Sequence, residues 1–259
     1  MSDVRRLYIL LCGYEVLRKT ISTRDIGERF VLAEPICAYL LDTTHGWVLL
    51  DTGIDPAYAR DPALRDEHFL SRGWAPPVVG DVHELEGQLA AIGIDLDDIG
   101  HVILSHLHFD HCDRLHRFAH ARLSMQRREY DWAFGADPGM GYLPRDYDAP
   151  GLAWDLRDGD WEAMPGLTLL DTHGHTPGHQ SALVTLMSGE RFILPFDVGD
   201  LAENFTHDIA PGSCSDEAAA MAAIHRIKAL QVTHDATMLL FHDPQAIQSL
   251  RLAPACYGA

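Results

Sequence analysis

Ser105-His106-Leu107-His108-Phe109-Asp110-His111 decides how this chain is read. The run follows Val102-Ile103-Leu104, an apolar triplet short enough to be a buried strand. In an extended segment, side chains two positions apart share a side, so His106 and His108 turn their imidazoles the same way. Asp110 and His111 come after a turn and can face a second ion. Neutral imidazole and carboxylate suit zinc, and also iron, manganese or cobalt, so the donors define the metal class more firmly than the metal.

Further along the chain, other apolar runs end on the same kinds of residue. Trp47 to Leu50 leads to Asp51, Leu167 to Leu170 to the histidine-rich segment that follows, Phe192 to Leu194 to Asp197, and Met238 to Phe241 to His242. Strands stacked in two sheets would set those ends along one edge, so residues scattered in sequence are expected to converge. In Thr172-His173-Gly174-His175-Thr176-Pro177-Gly178-His179-Gln180-Ser181, Gly174 and Gly178 allow tight turns and Pro177 stiffens the loop. His175 is assigned as a ligand, His179 as a hydrogen-bonded loop residue, and His173 is left unassigned.

The rest of the chain reads as alternating strands and helices. Ile36 to Leu41 and Trp47 to Leu50 form a hairpin across Asp42 to Gly46. Asp81 is expected to cap a helix that runs to Gly93. A short helix covers Arg127 to Phe134, followed by a long surface loop to Gly166. A further helix spans Ser215 to Leu230, with acidic residues in its first turn and basic ones near its last. This order predicts an α/β sandwich with helices outside, in one domain over residues 1–259.

A length of 259 residues and 47% hydrophobic content support one substantial core. The formal charge of −18 repels polyanions and anionic lipid, which argues against nucleic acid and membrane partners. The scattered cysteines suit reduced thiols in the cytoplasm. The apolar run Leu7 to Cys12 stops at Gly13, too short for a signal core.

Taken together, His106 to His111, Asp51-Thr52-Gly53, Gly174 to His179, Asp197 and Phe241-His242-Asp243 resemble, in order, the motifs of the metallo-β-lactamase superfamily. Within it, the chain looks most like the N-acyl homoserine lactonases. That resemblance implies a four-layer αββα sandwich and two divalent metal ions. His106, His108 and His175 would hold one ion and Asp110, His111 and His242 the other, with Asp197 bridging and Asp51 and His179 supporting. His234-Asp235 competes for the last position, but only His242 ends an apolar strand.

The implied reaction opens the ring of a small lactone, with an N-acyl homoserine lactone as leading substrate. A hydroxide shared by the metals would attack, and Asp110 would pass a proton to the leaving oxygen. No G-x-S-x-G elbow offers a serine nucleophile. Phe69, Phe109 and Asp200 are the expected substrate contacts, in a monomer or homodimer. Asp200 stands where the lactonases have a tyrosine, and an anion cannot donate that hydrogen bond. Tyr142 and Tyr147 are the candidate replacements. Cys112-Asp113-Arg114 also departs from the small residues usual there, with Cys112 expected as a buried, inert thiol. The alternatives are a glyoxalase II-like thioester or ester hydrolase, and a non-catalytic metal-binding or ligand-binding protein.

Overall fold

The computed structural model describes residues 1–112 and 114–258, so Asp113 of the altered loop lies outside the described residues. The strands are β1 (Val4–Arg18), β2 (Val31–Thr43), β3 (Gly46–Leu50), β4 (Ile99–Ile103), β5 (Arg122–Gln126), β6 (Ala153–Arg157), β7 (Trp161–Met164), β8 (Leu167–Asp171), β9 (Gln180–Thr185), β10 (Arg191–Leu194), β11 (Thr237–Met238) and β12 (Cys256–Tyr257). They form a 7-stranded sheet in the order β12-β1-β2-β3-β4-β5-β6 and a 5-stranded sheet in the order β11-β10-β9-β8-β7. The pairs β3-β4, β4-β5, β5-β6 and β10-β11 are parallel, and their neighbours antiparallel.

The alternation of side chains along each strand explains the layering, because successive residues point to opposite faces. Leu7 and Ile9 of β1, with Cys37, Tyr39 and Leu41 of β2, point inward onto Leu167, Leu169 and Val184 of the second sheet. The residues between them, Tyr8, Leu10, Ala38 and Leu40, pack outward on Tyr58, Leu85 and Leu89. On the far side, Leu170 and Ile193 meet Ile224 and Ile227 of helix Glu217–His234. Each such buried aliphatic chain contributes about 1.5–3 kcal/mol. The outcome is the expected four-layer αββα sandwich.

Several expected elements differ. The run Leu7 to Cys12 is the buried middle of β1, a 15-residue strand whose last residues are half-buried or exposed. Glu84 is extended, so the helix starts at Leu85, behind a separate 3-10 turn at Asp81–His83, and Asp81 does not cap it. The expected long loop contains helix Pro144–Tyr147 and the edge strands β6 and β7. β6 is only half-buried and carries the Arg157-Asp155 pair at 2.6 Å, so it lacks the apolar run that marks a strand. The helix expected from Ser215 begins after its cap, Asp216, and continues to His234.

These strands bring the chemistry to one edge. Asp51 follows β3, His106 follows β4, His175 follows β8, Asp197 follows β10 and His242 follows β11. No described helix is long and apolar enough to cross a membrane.

Candidate metal centre

Two groups of donors meet at that edge. His106, His108, His175 and Asp197 each present an atom within 4.8 Å of the others, as do Asp110, His111 and His242. Asp197 reaches both groups. Its Oδ2 lies 3.2 Å from His175 Nε2 and 3.6 Å from His106 Nε2, while Oδ1 lies 3.2 Å from His242 Nε2 and 3.3 Å from His111 Nε2. Asp110 Oδ2 stands 3.2 Å from His111 Nε2. All seven side chains expected to meet there are brought together.

Most of these imidazoles are held by their far nitrogen, which turns Nε2 toward the centre. His111 Nδ1 donates to Asp51 Oδ2 at 2.8 Å, His175 Nδ1 to the Ser213 carbonyl at 2.7 Å, and His242 Nδ1 to the Pro35 carbonyl at 2.8 Å. His106 Nδ1 contacts Ser105 Oγ at 2.9 Å, and that hydroxyl in turn donates to Asp51 at 2.8 Å. His108 is the exception and presents Nδ1, 3.0 Å from His175 Nε2. His179 is turned away, its Nδ1 on Thr172 and its Nε2 accepting the Asp197 N–H at 3.1 Å. Phe196, just before Asp197, has φ +50°, a left-handed conformation costing about 1–2 kcal/mol for a bulky residue.

The two histidine motifs are bolted together by Glu129, a residue sequence reasoning missed. Fully buried, it accepts the Leu107 N–H at 3.1 Å, the Tyr142 O–H at 2.7 Å and the Gly178 N–H at 3.0 Å. Gly178 does not need an unusual backbone: a Cβ there would lie 2.2 Å from Glu129 N. Gly174 needs both, since φ is +143° and a Cβ would fall 2.3 Å from Ala220 N. Glu129→Ala orphans two buried N–H groups and is expected to lower unfolding free energy by about 3 kcal/mol, as read by denaturant titration.

The electrostatics fit a cation. Burial, followed by the charge on His175, holds His108 down to about 3. Burial opposes charge on His242 as well, yet Asp197, Asp200 and Asp110 together outweigh it and lift that group to about 10. His111 is likewise raised well above its usual range, against burial, by Asp197 and Asp110. Those imidazolium charges keep Asp197 far below the ordinary carboxylate range in spite of its burial. His106 Nε2 and Asp197 Oδ1 are buried without a hydrogen-bond partner, which a metal would satisfy.

A pH dependence follows. A cation taking Nε2 of His111 and His242 must displace their protons, so binding releases protons and strengthens as pH rises, until pH approaches about 10. Apparent zinc affinity is expected to rise about tenfold or more per pH unit between roughly 6 and 8, measured by chelator competition. A flat profile would contradict it.

The centre opens into a cavity of about 480 Å³, whose lining includes the aromatics Phe69, Trp74 and Phe109 and the acidic residues Glu15, Glu34 and Asp200. Phe69 and Phe109 stack edge-to-face at 5.4 Å. Asp200 is buried, and desolvation and then Asp197 raise its carboxyl well above the usual range. Neither candidate tyrosine replaces the missing one. Tyr142 commits its hydroxyl to Glu129 and packs its ring 4.7 Å from His108, and Tyr147 donates to the Ala133 carbonyl inside the core. His173 is exposed and bonded to Asp171, and His234 ends a helix away from the centre, so neither joins it. Cys112 is fully buried.

The family model of the metallo-β-lactamase superfamily matches residues 33–195, and the chain belongs to that superfamily. It is a hydrolase of the metal-dependent type. It is 31% identical, over the full length of both chains, to N-acyl homoserine lactonase AttM of Rhizobium radiobacter. It is 29% identical to N-acyl homoserine lactonase AiiA of Bacillus thuringiensis subsp. kurstaki, covering 97% of this chain and 98% of that one. Among solved structures, an N-acyl homoserine lactone hydrolase with N-hexanoyl-L-homoserine at its catalytic metal centre superimposes with a TM-score of 0.89. The match is at 28% identity, over 99% of this chain and all of the other.

Proposed function

We propose that this protein opens the ring of a small lactone, with an N-acyl homoserine lactone as the leading substrate, using two divalent cations, zinc being the best match to the donors. The observation that carries the reading is the meeting of two donor groups on Asp197 at the wall of the cavity. His106, His108 and His175 would hold one cation and Asp110, His111 and His242 the other, with Asp197, whose oxygens face both groups, between them. Such a pair supplies a water-derived nucleophile at neutral pH and polarises the ester carbonyl.

The chain's own residues do the rest. Asp51 and His179 orient the donors from behind, and Phe69 and Phe109 exclude water beside the acyl group. Asp110, which lines the cavity, takes the proton given up by the attacking water and passes it to the leaving alkoxide. Asp110→Asn is expected to lower kcat by about a hundredfold when measured on protein loaded to two equivalents of zinc. Full turnover with both metals present would remove that role.

Metal analysis combined with a substrate panel tests the whole reading. About two equivalents of zinc per chain and turnover of lactones are expected. Faster cleavage of S-lactoylglutathione than of any lactone would make the chain a thioester hydrolase instead. Absence of metal after purification in zinc would leave a non-catalytic protein.

A further inference from the structure

Glu15, Glu34 and Asp200 line the catalytic cavity but belong to neither donor group. Glu15 on β1 and Glu34 on β2 are directly opposed partners in the antiparallel ladder. Like charges placed that way destabilise a sheet. Glu34 is 2% exposed and Asp200 8% exposed, so both carboxylates have left water for the cavity wall. Glu34 Oε1 accepts the Ser22 hydroxyl at 2.6 Å, whereas Asp200 Oδ1 is buried with no hydrogen-bond partner.

His242 is the positive group that acts on all three, and it belongs to the metal centre. Lys19 pairs with Glu203 and Arg24 with Glu217. Arg18 and Arg72 reach the cavity lining but are exposed. Desolvation raises all three carboxyls, so a cation at the wall is what would let them ionise there. A third metal does not suit them, because the three do not bring one oxygen each within 4.8 Å of one another.

We propose that this acidic wall binds a protonated amine, so that the preferred substrate is a lactone carrying an ammonium group directed at Glu15, Glu34 and Asp200. The inference rests on the lactonase reading and refines it. An ammonium offers three donors to a wall that has only acceptors when ionised, and an acyl lactone with a neutral tail leaves that wall unpartnered.

Two γ-butyrolactones of equal size, one with an aminomethyl and one with an ethyl substituent, separate these cases at pH 7.5 on zinc-loaded protein. The expected kcat/KM ratio favours the aminomethyl lactone by about tenfold or more. That ratio should fall toward one in Glu15→Gln and in Glu34→Gln, whatever happens to the absolute rates. Equal or better opening of the ethyl lactone would overturn the inference and leave the lactonase reading standing. If neither lactone is opened, the lactonase reading fails. Calorimetric binding of the matching lactams, which keep the ring but resist opening, then decides the wall separately: no preference for the aminomethyl lactam overturns it. A third equivalent of zinc that disappears in Glu15→Gln would also overturn it.

Discussion

Asp197→Ala is expected to release both cations and to cut lactone turnover by about a thousandfold. Its carboxylate reaches across both donor groups: its two oxygens lie 3.2 Å from His175 and 3.2 Å from His242. Removing it leaves His111 and His242, buried and lifted in pKa mainly by Asp197, without their principal counter-charge. Breaking a buried charge pair of this type costs about 3–5 kcal/mol, and 4 kcal/mol corresponds to roughly a thousandfold. Metal analysis by mass spectrometry and kcat/KM on a short-chain lactone provide the check. Retention of two metals by the variant would show that the two groups bind independently.

A second large effect concerns Asp51, which touches no cation position. It is fully buried and accepts the Ser105 N–H at 2.7 Å, the Ser105 hydroxyl at 2.8 Å and the His111 Nδ1–H at 2.8 Å. Asp51→Ala orphans those donors at φ +59°, a conformation that disfavours alanine, so stability should fall by about 3 kcal/mol and metal affinity by about 10–100-fold. Asp51→Asn is the sharper variant. Asparagine tolerates the left-handed backbone and can still accept from Ser105, but its amide N–H then faces His111 Nδ1. That contact moves the imidazole proton to Nε2, the atom needed for the cation. Unfolding free energy is expected to stay within about 1 kcal/mol of wild type while zinc affinity drops about 10–100-fold. Unchanged affinity would assign Asp51 to folding alone.

The parts of this molecule that could be read in sequence are those where periodicity and chemistry coincide. β3, β4, β8 and β10 are compact apolar runs, each followed within a few residues by an Asp or His, so both strand and donor stood out. β1 was harder because its apolar stretch gives way to Tyr14, Glu15 and Arg18, although the ladder with β2 continues to Arg18. β6 and β7 are short edge strands, half-buried and partly held by charged pairs, a pattern that resembles a polar loop. Glu34 and Glu129 gave no signal at all. Each is one acidic residue beside ordinary neighbours, and only the packing of distant segments makes one a cavity wall and the other a clamp between two loops.

A crystal structure of zinc-loaded protein with anomalous scattering recorded at the zinc edge examines the metal centre itself. Two peaks are predicted, one bounded by His106, His108 and His175, the other by Asp110, His111 and His242, with an oxygen of Asp197 beside each. A single peak, or peaks away from these side chains, would contradict the account.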